Sequence, residues 1–176
     1  MTKLKNHIEK MEELLDDLMD KNLVAKQSIL EDLHKLYQEQ PDETTALIYA
    51  RGLLNLTAFQ ELSDCKTSVD CLSNLFSRYP KDSSIALQYA GGLVNLSSKQ
   101  EVTGREQTVK ELGTLSSRFP KYSALALRYA KGLFNLSNKQ ELSDREHTIA
   151  ELASLSGRFP DNSDIALEYA KGLVNL

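Results

Sequence analysis

Residues 126–136 read ALRYAKGLFNL, and the fold turns on the recurrence of that string. Its relatives begin at Ala46 (ALIYARGLLNL), Ala86 (ALQYAGGLVNL) and Ala166 (ALEYAKGLVNL), each 40 residues from the last. A second block alternates with it: CLSNLFSRYP at 71–80, ELGTLSSRFP at 111–120 and ELASLSGRFP at 151–160. A degenerate copy, EDLHKLYQEQP, occupies 31–41. A fixed period of this length marks a repeat architecture in which no single copy can bury its apolar face alone.

Each copy contains two helical patterns. The first helix follows a proline, with Ser83, Ser123 and Ser163 in N-cap position and Thr44 in the shortened first copy; it runs to about Leu56, Leu96 and Leu136. The second starts near Ser63, Thr103 and Ser143, where TGRE (103–106) and SDRE (143–146) have the form of capping boxes. Its apolar stripe is Val69, Leu72, Leu75 and Tyr79, repeated as Val109, Leu112, Leu115, Phe119 and as Ile149, Leu152, Leu155, Phe159. Steps of three and four are helical. Pro80, Pro120 and Pro160 then end each copy.

Near the N-terminus, Leu4, Ile8, Met11, Leu15 and Leu18 define one amphipathic helix, and Leu30, Leu33 and Leu36 continue the second-helix stripe. A polar, divergent helix pair suits the end cap of a stack; the same stepping is also a heptad pattern, though a short one. The expected fold is therefore all-α: a right-handed α-solenoid of antiparallel helix pairs, about nine helices in one domain spanning 1–176. Residues 1–41 form the cap, 42–81, 82–121 and 122–161 the repeats, and 162–176 an unpaired last helix. From about residue 24 onward the chain resembles the tetratricopeptide-repeat superfamily, with two antiparallel helices, a glycine in the first and a proline closing the second. The family's unit is about 34 residues; this one is longer, through connections such as SNKQELSDRE (137–146). Matching Gly132 to the family's glycine places the family's bulky aromatic positions on Arg128 and Asn135. The resemblance implies a binding scaffold and carries over no individual binding residue.

Composition narrows the function classes. A net charge of −4 gives no basic footprint for nucleic acid. No apolar run approaches the length of a membrane span. The N-terminus lacks a secretory or transit pattern, which makes the cytoplasm the expected location. Cys65 and Cys71 lie six apart on one helix, a poor disulfide geometry, and align with Arg105, Glu111, Arg145 and Glu151; both are expected at exposed positions. His7, His34 and His147 fall on three different helices, and no metalloprotease, phosphate-loop or CxxC motif occurs. The chain is expected to be no enzyme and to need no cofactor or metal.

The functional handle is the glycine and the asparagine of each first helix. Gly52, Gly92, Gly132 and Gly172 each cost a helix interior about 1 kcal/mol relative to alanine. Close approach to a neighbouring helix explains them. On a helical wheel, Asn55, Asn95, Asn135 and Asn175 fall at the centre of the side facing away from the apolar arc. The positions flanking them vary between copies, whereas the asparagine does not. Two roles fit: hydrogen bonding to a neighbouring helix or connection, or an amide ladder along a groove that binds the backbone of an extended peptide. Arg51, Arg128, Lys131 and Lys171 surround the asparagines against one acid, Glu168, so an acidic peptide is the expected ligand. The sequons at 55–57, 95–97 and 135–137 lie within helices and are not expected to carry glycans.

The first function expectation is thus a noncatalytic protein-interaction module. The second is self-association: no second helix follows the last first helix, which leaves Leu167, Ala170, Leu173 and Val174 as an apolar edge for a further repeat or a homodimer. An RNA-reading helical repeat ranks third, disfavoured by Glu168 and the net charge.

Overall fold

The computed structural model describes residues 2–176, with side chains from Leu4 onward. The described residues form nine helices: α1 (Thr2–Met19), α2 (Leu23–Glu39), α3 (Glu43–Thr57), α4 (Leu62–Arg78), α5 (Ser83–Lys99), α6 (Val102–Arg118), α7 (Ser123–Ser137), α8 (Leu142–Arg158) and α9 (Ser163–Val174). The fold is all-α. Odd-numbered helices carry the glycine–asparagine string from α3 onward, and even-numbered helices carry the apolar stripe, Leu-Leu-Leu in α2 and Val/Ile-Leu-Leu in α4, α6 and α8. None is long and apolar enough to cross a membrane.

The helix starts fall one or two residues earlier than their sequence signals suggest. Ser83, Ser123 and Ser163 are the first helical residues rather than the caps. Asp82 accepts from the amides of Ser84 and Ile85, and Asn162 caps Ile165. In α3 the cap is Asp42, which forms a reciprocal capping box with Thr45. The boxes expected at 103–106 and 143–146 do not form, because Glu101 and Glu141 hold the cap positions without a side-chain bond. This places Thr103 and Ser143 inside the first turn.

The chain divides into two compact units, Met1–Gly92 and Leu93–Leu176, with the boundary inside α5. In the N-terminal unit, α1 packs on both α2 and α3, and α3 packs on α4. Met11, Leu15 and Leu18 of α1 are buried with Leu33 of α2 and Ala46, Ala50 and Leu53 of α3. The outward side of α1 carries exposed Glu9, Lys10, Glu12, Glu13, Asp16 and Asp17. In the C-terminal unit α6 packs on α7, α7 on α8 and α9, and α8 on α9. Its core joins Val109, Ala126, Ala130, Leu133, Leu136, Ile149, Leu152 and Ile165. Within each unit, therefore, odd helices lie side by side, as α1 with α3 and α7 with α9. Among the described residues, no Cα atom of α2 lies within 8 Å of one in α4, and likewise for α6 and α8. A groove opens between each such pair.

The glycines sit where an odd helix crosses the preceding even one. A β-carbon on Gly132 would lie 2.4 Å from Leu112 Cδ1, one on Gly172 2.4 Å from Ile149 Cδ1, one on Gly92 2.7 Å from Leu72 Cδ1, and one on Gly52 2.9 Å from Leu33 Cδ1. The stripe leucines and Ile149 fill the space that a side chain would take. All four glycines are buried. This is the close approach to a neighbouring helix that the sequence implies for them.

Candidate functional site

The repeated asparagines are half-buried, not outward-facing. In the C-terminal unit, Asn135 of α7 donates its amide N–H to Ser97 Oγ at 2.9 Å and to the Val94 carbonyl at 3.3 Å, both on α5. A carbonyl can only accept, so the contact with Val94 fixes which end of the amide is nitrogen. Ser97 is fully buried and donates its own hydroxyl to Val94 O at 2.8 Å, leaving its oxygen to accept from Asn135. Asn175 of α9 donates to Asn138 Oδ1 just past α7, at 2.6 Å. In the N-terminal unit Asn55 of α3 donates to Met19 Sδ and accepts from Lys26 Nζ at 2.9 Å. Asn95 is half-buried and is likewise not free. The asparagines of α3, α7 and α9 thus fasten each odd helix to the one before it. The outward placement is corrected because the side of an odd helix opposite its apolar arc meets a neighbouring odd helix before it meets solvent.

The third residue of each sequon has a role in this arrangement. Thr57, Ser97 and Ser137 are fully buried, and each donates back to the carbonyl three residues earlier, at 2.7 to 2.8 Å. In Ser97 that geometry is what presents the hydroxyl oxygen to the next asparagine.

A second fastening escaped the sequence reading. Arg105, at the fourth position of α6, is buried; its guanidinium donates to Gln100 O at 2.6 Å, to Ser98 O at 3.1 Å and to Asn135 O. Arg145 holds the same place in α8 and donates to Gln140 O at 2.7 Å and to Asn175 O. Each guanidinium therefore binds carbonyls at or just beyond the C-terminal ends of two successive odd helices, where the helix dipole is negative. Burial pushes the Arg105 pKa down from its usual value. Thr108 and Thr148 complete the corner by donating to Gln100 Oε1 and Gln140 Oε1 at 2.9 and 2.7 Å. In α2 the position is Lys26, bonded to Met19 O at 3.1 Å and Asn55 and lying over the Phe59 ring. In α4 it is Cys65, fully buried, which corrects the expectation of two exposed cysteines; Cys71 is half-buried, and the two are not joined in a disulfide. In that copy Gln60 Oε1 has no partner among the described residues, with Ser68 standing in place of the threonine.

The four basic residues expected to flank a groove differ in availability. Arg51 is exposed and has no ion-pair partner among the described residues. It lies with Leu15, Asp16, Met19, Leu54, Asn55 and Gln88 around a groove of about 310 Å³ in the N-terminal unit. Arg128 and Lys131 are half-buried, and burial pushes the Arg128 pKa down. Lys171 pairs with the buried Glu168 at 3.0 Å, so those two charges cancel on α9. On that helix Leu167, Leu173 and Val174 are 51, 45 and 86 % exposed, and Ala170 is exposed too.

The even-helix side carries two further grooves. One, of about 680 Å³, lies between α6 and α8 over Tyr129 and Leu133, and is edged by Glu106, Lys110, His147, Glu151 and Arg158. The Tyr129 hydroxyl donates to the Glu151 carboxylate across its floor. The other, about 310 Å³, lies between α2 and α4 over Tyr49. No three His, Cys, Asp or Glu among the described residues converge as a metal site. Compared with protein-family models, with curated proteins and with solved structures, the chain matches none.

Proposed function

We propose that the chain is a cytoplasmic, noncatalytic protein-interaction module of the tetratricopeptide-like kind that takes an extended, acidic peptide on the face of its odd-numbered helices. The carrying observation is the groove beside α1 and α3, where apolar Leu15, Met19 and Leu54 lie next to an exposed and unpaired Arg51. Apolar side chains supply contact area, and a single free cation supplies orientation. Asp16 on the same rim disfavours an acid at that end and sets the direction of the peptide. The asparagines contribute less than a full ladder would. The nitrogens of Asn135 and Asn175 are occupied internally, while their carbonyl oxygens have no donor among the described residues. They can accept from a peptide N–H but cannot read N–H and C=O together. The test is fluorescence anisotropy with an extended Glu/Leu peptide against its Lys/Leu counterpart, using wild type and Arg51→Glu. The acidic peptide should bind preferentially, and Arg51→Glu should abolish that preference. Equal binding of the two peptides, or a preference indifferent to Arg51, would refute the reading.

Self-association is retained as a second reading, supported by the exposed Leu167, Ala170, Leu173 and Val174 on one face of α9. Apolar area of this kind favours pairing with a second copy. Sedimentation over a concentration series should then show a dimer that Leu173→Glu dissociates; a monomer throughout would remove this reading.

A further inference from the structure

The groove between α2 and α4 departs from its counterpart between α6 and α8, and the departures share one chemistry. Position for position, the repeat places Ser73, Gly113 and Ala153 where α2 has His34, and Glu111 and Glu151 where α4 has Cys71. His34 stacks on Tyr49 with ring centroids 5.1 Å apart and planes 12° from parallel, and Tyr37 stacks on Tyr49 at 5.7 Å and 16°. Three near-parallel rings thus line one side of a cavity of about 310 Å³. Arg78 reaches the same cavity and donates to the Tyr37 hydroxyl at 3.2 Å.

The exchange of glutamate for Cys71 changes the charge of the site. In the α6–α8 groove, Glu106 and Glu151 accompany Arg158 and Lys110, and Glu151 takes the hydroxyl proton of Tyr129 as a hydrogen bond. No carboxylate lines the α2–α4 groove, so the Arg78 cation is left without a counter-charge there. The Tyr49 hydroxyl, equivalent to that of Tyr129, has no hydrogen-bond partner among the described residues. A phenol that donates to a carboxylate in one repeat is therefore unoccupied in another, beside an uncompensated guanidinium and a stack of rings.

We propose that the cavity between α2 and α4 binds a small aromatic carboxylate, whose ring extends the His34–Tyr49–Tyr37 stack and whose carboxylate accepts from the Tyr49 hydroxyl and Arg78. The ligand's acid group takes the place that Glu151 fills against Tyr129. Asn74 on the rim offers a further donor. The volume lies at the small end of the roughly 300–1,000 Å³ range of ligand sites, which suits one or two fused rings. This site is independent of the peptide groove beside Arg51, so either can fail alone.

The test is a proton NMR titration of the full chain with 2-naphthoate, following the ring resonances of His34 and Tyr49, in parallel with neutral 2-naphthamide. Cys71→Glu restores the residue of the other repeats and is expected to fold, with its carboxylate on the Tyr49 hydroxyl. Arg78→Gln serves as a second variant, removing the cation alone, and far-UV circular dichroism reports folding of both. Saturable shifts are expected with naphthoate. The amide and either folded variant should bind roughly tenfold more weakly, as the loss of one charge-assisted hydrogen bond requires. Absence of saturable shifts, equal binding of acid and amide, or unchanged affinity in a folded variant would overturn the proposal.

Discussion

Replacing Arg105 with methionine keeps a long side chain in place and removes the guanidinium. Three carbonyls lose their donor: Gln100 O, Ser98 O and Asn135 O. A hydrogen bond to a charged group contributes about 1.5–3 kcal/mol net. The three do not add, because helix-end carbonyls recover some water and because burying the guanidinium opposes its charge, as the lowered pKa shows. The expected loss is therefore about 2–4 kcal/mol. Urea denaturation of the full chain, followed by far-UV circular dichroism, measures it. Hydrogen exchange at the C-terminal turn of α7 should accelerate as well, since Asn135 O is one of the released acceptors. Arg105→Lys keeps the charge but offers a point donor instead of a fork, so it should recover only part of the loss. A loss under about 0.5 kcal/mol, the range of an ordinary surface substitution, would refute the idea that this side chain ties α5 to α7.

Gly132→Ala and Gly157→Ala should have opposite signs in the same assay. The first gains about 1 kcal/mol of helix propensity but drives Leu112, which is fully buried, into a packed core at a cost of about 1–3 kcal/mol; the second meets nothing within 4 Å and should stabilise by up to about 1 kcal/mol. Stability should also fall at high pH. Burial pushes the Tyr49 hydroxyl from 10.0 up to about 12, so the unfolded chain releases this proton first and stability declines between those values, by on the order of 2 kcal/mol. Tyr49→Phe should flatten that decline; a slope indifferent to the substitution would show that another group causes it.

The helix pairs were legible in the sequence because their signals are local. The Val-Leu-Leu stripe, the closing prolines and the fixed spacing each constrain a few residues at a time. The repeated glycines were legible for a related reason: a helix-interior glycine has a cost, and only a close neighbour compensates it. The asparagines were misplaced because a wheel sorts residues around one helix and treats everything off the apolar arc as wet. Between stacked odd helices the off-arc side is half dry, and Asn135 with buried Ser97 satisfies the polar groups that this creates. The arginine clamps were hidden because their partners lie about 30 residues away in sequence and are main-chain oxygens of no particular residue type. One signal could have revealed them. Lys26, Arg105 and Arg145 all fall in the first turn of their helices, where the dipole disfavours a cation. A repeated cation at an unfavourable end implies a stronger negative partner outside the helix.

Asn135 is engaged within the protein by its bond to Ser97, and a double-mutant cycle between Asn135→Ala and Ser97→Ala measures that directly. Urea denaturation of wild type, both single variants and the double variant gives the coupling energy. A bond at 2.9 Å between a half-buried amide and a buried hydroxyl predicts coupling of about 1 kcal/mol, with the second substitution costing less once the first is made. Strictly additive effects, with the Asn135→Ala variant as stable as wild type, would contradict it and return the asparagine to the surface.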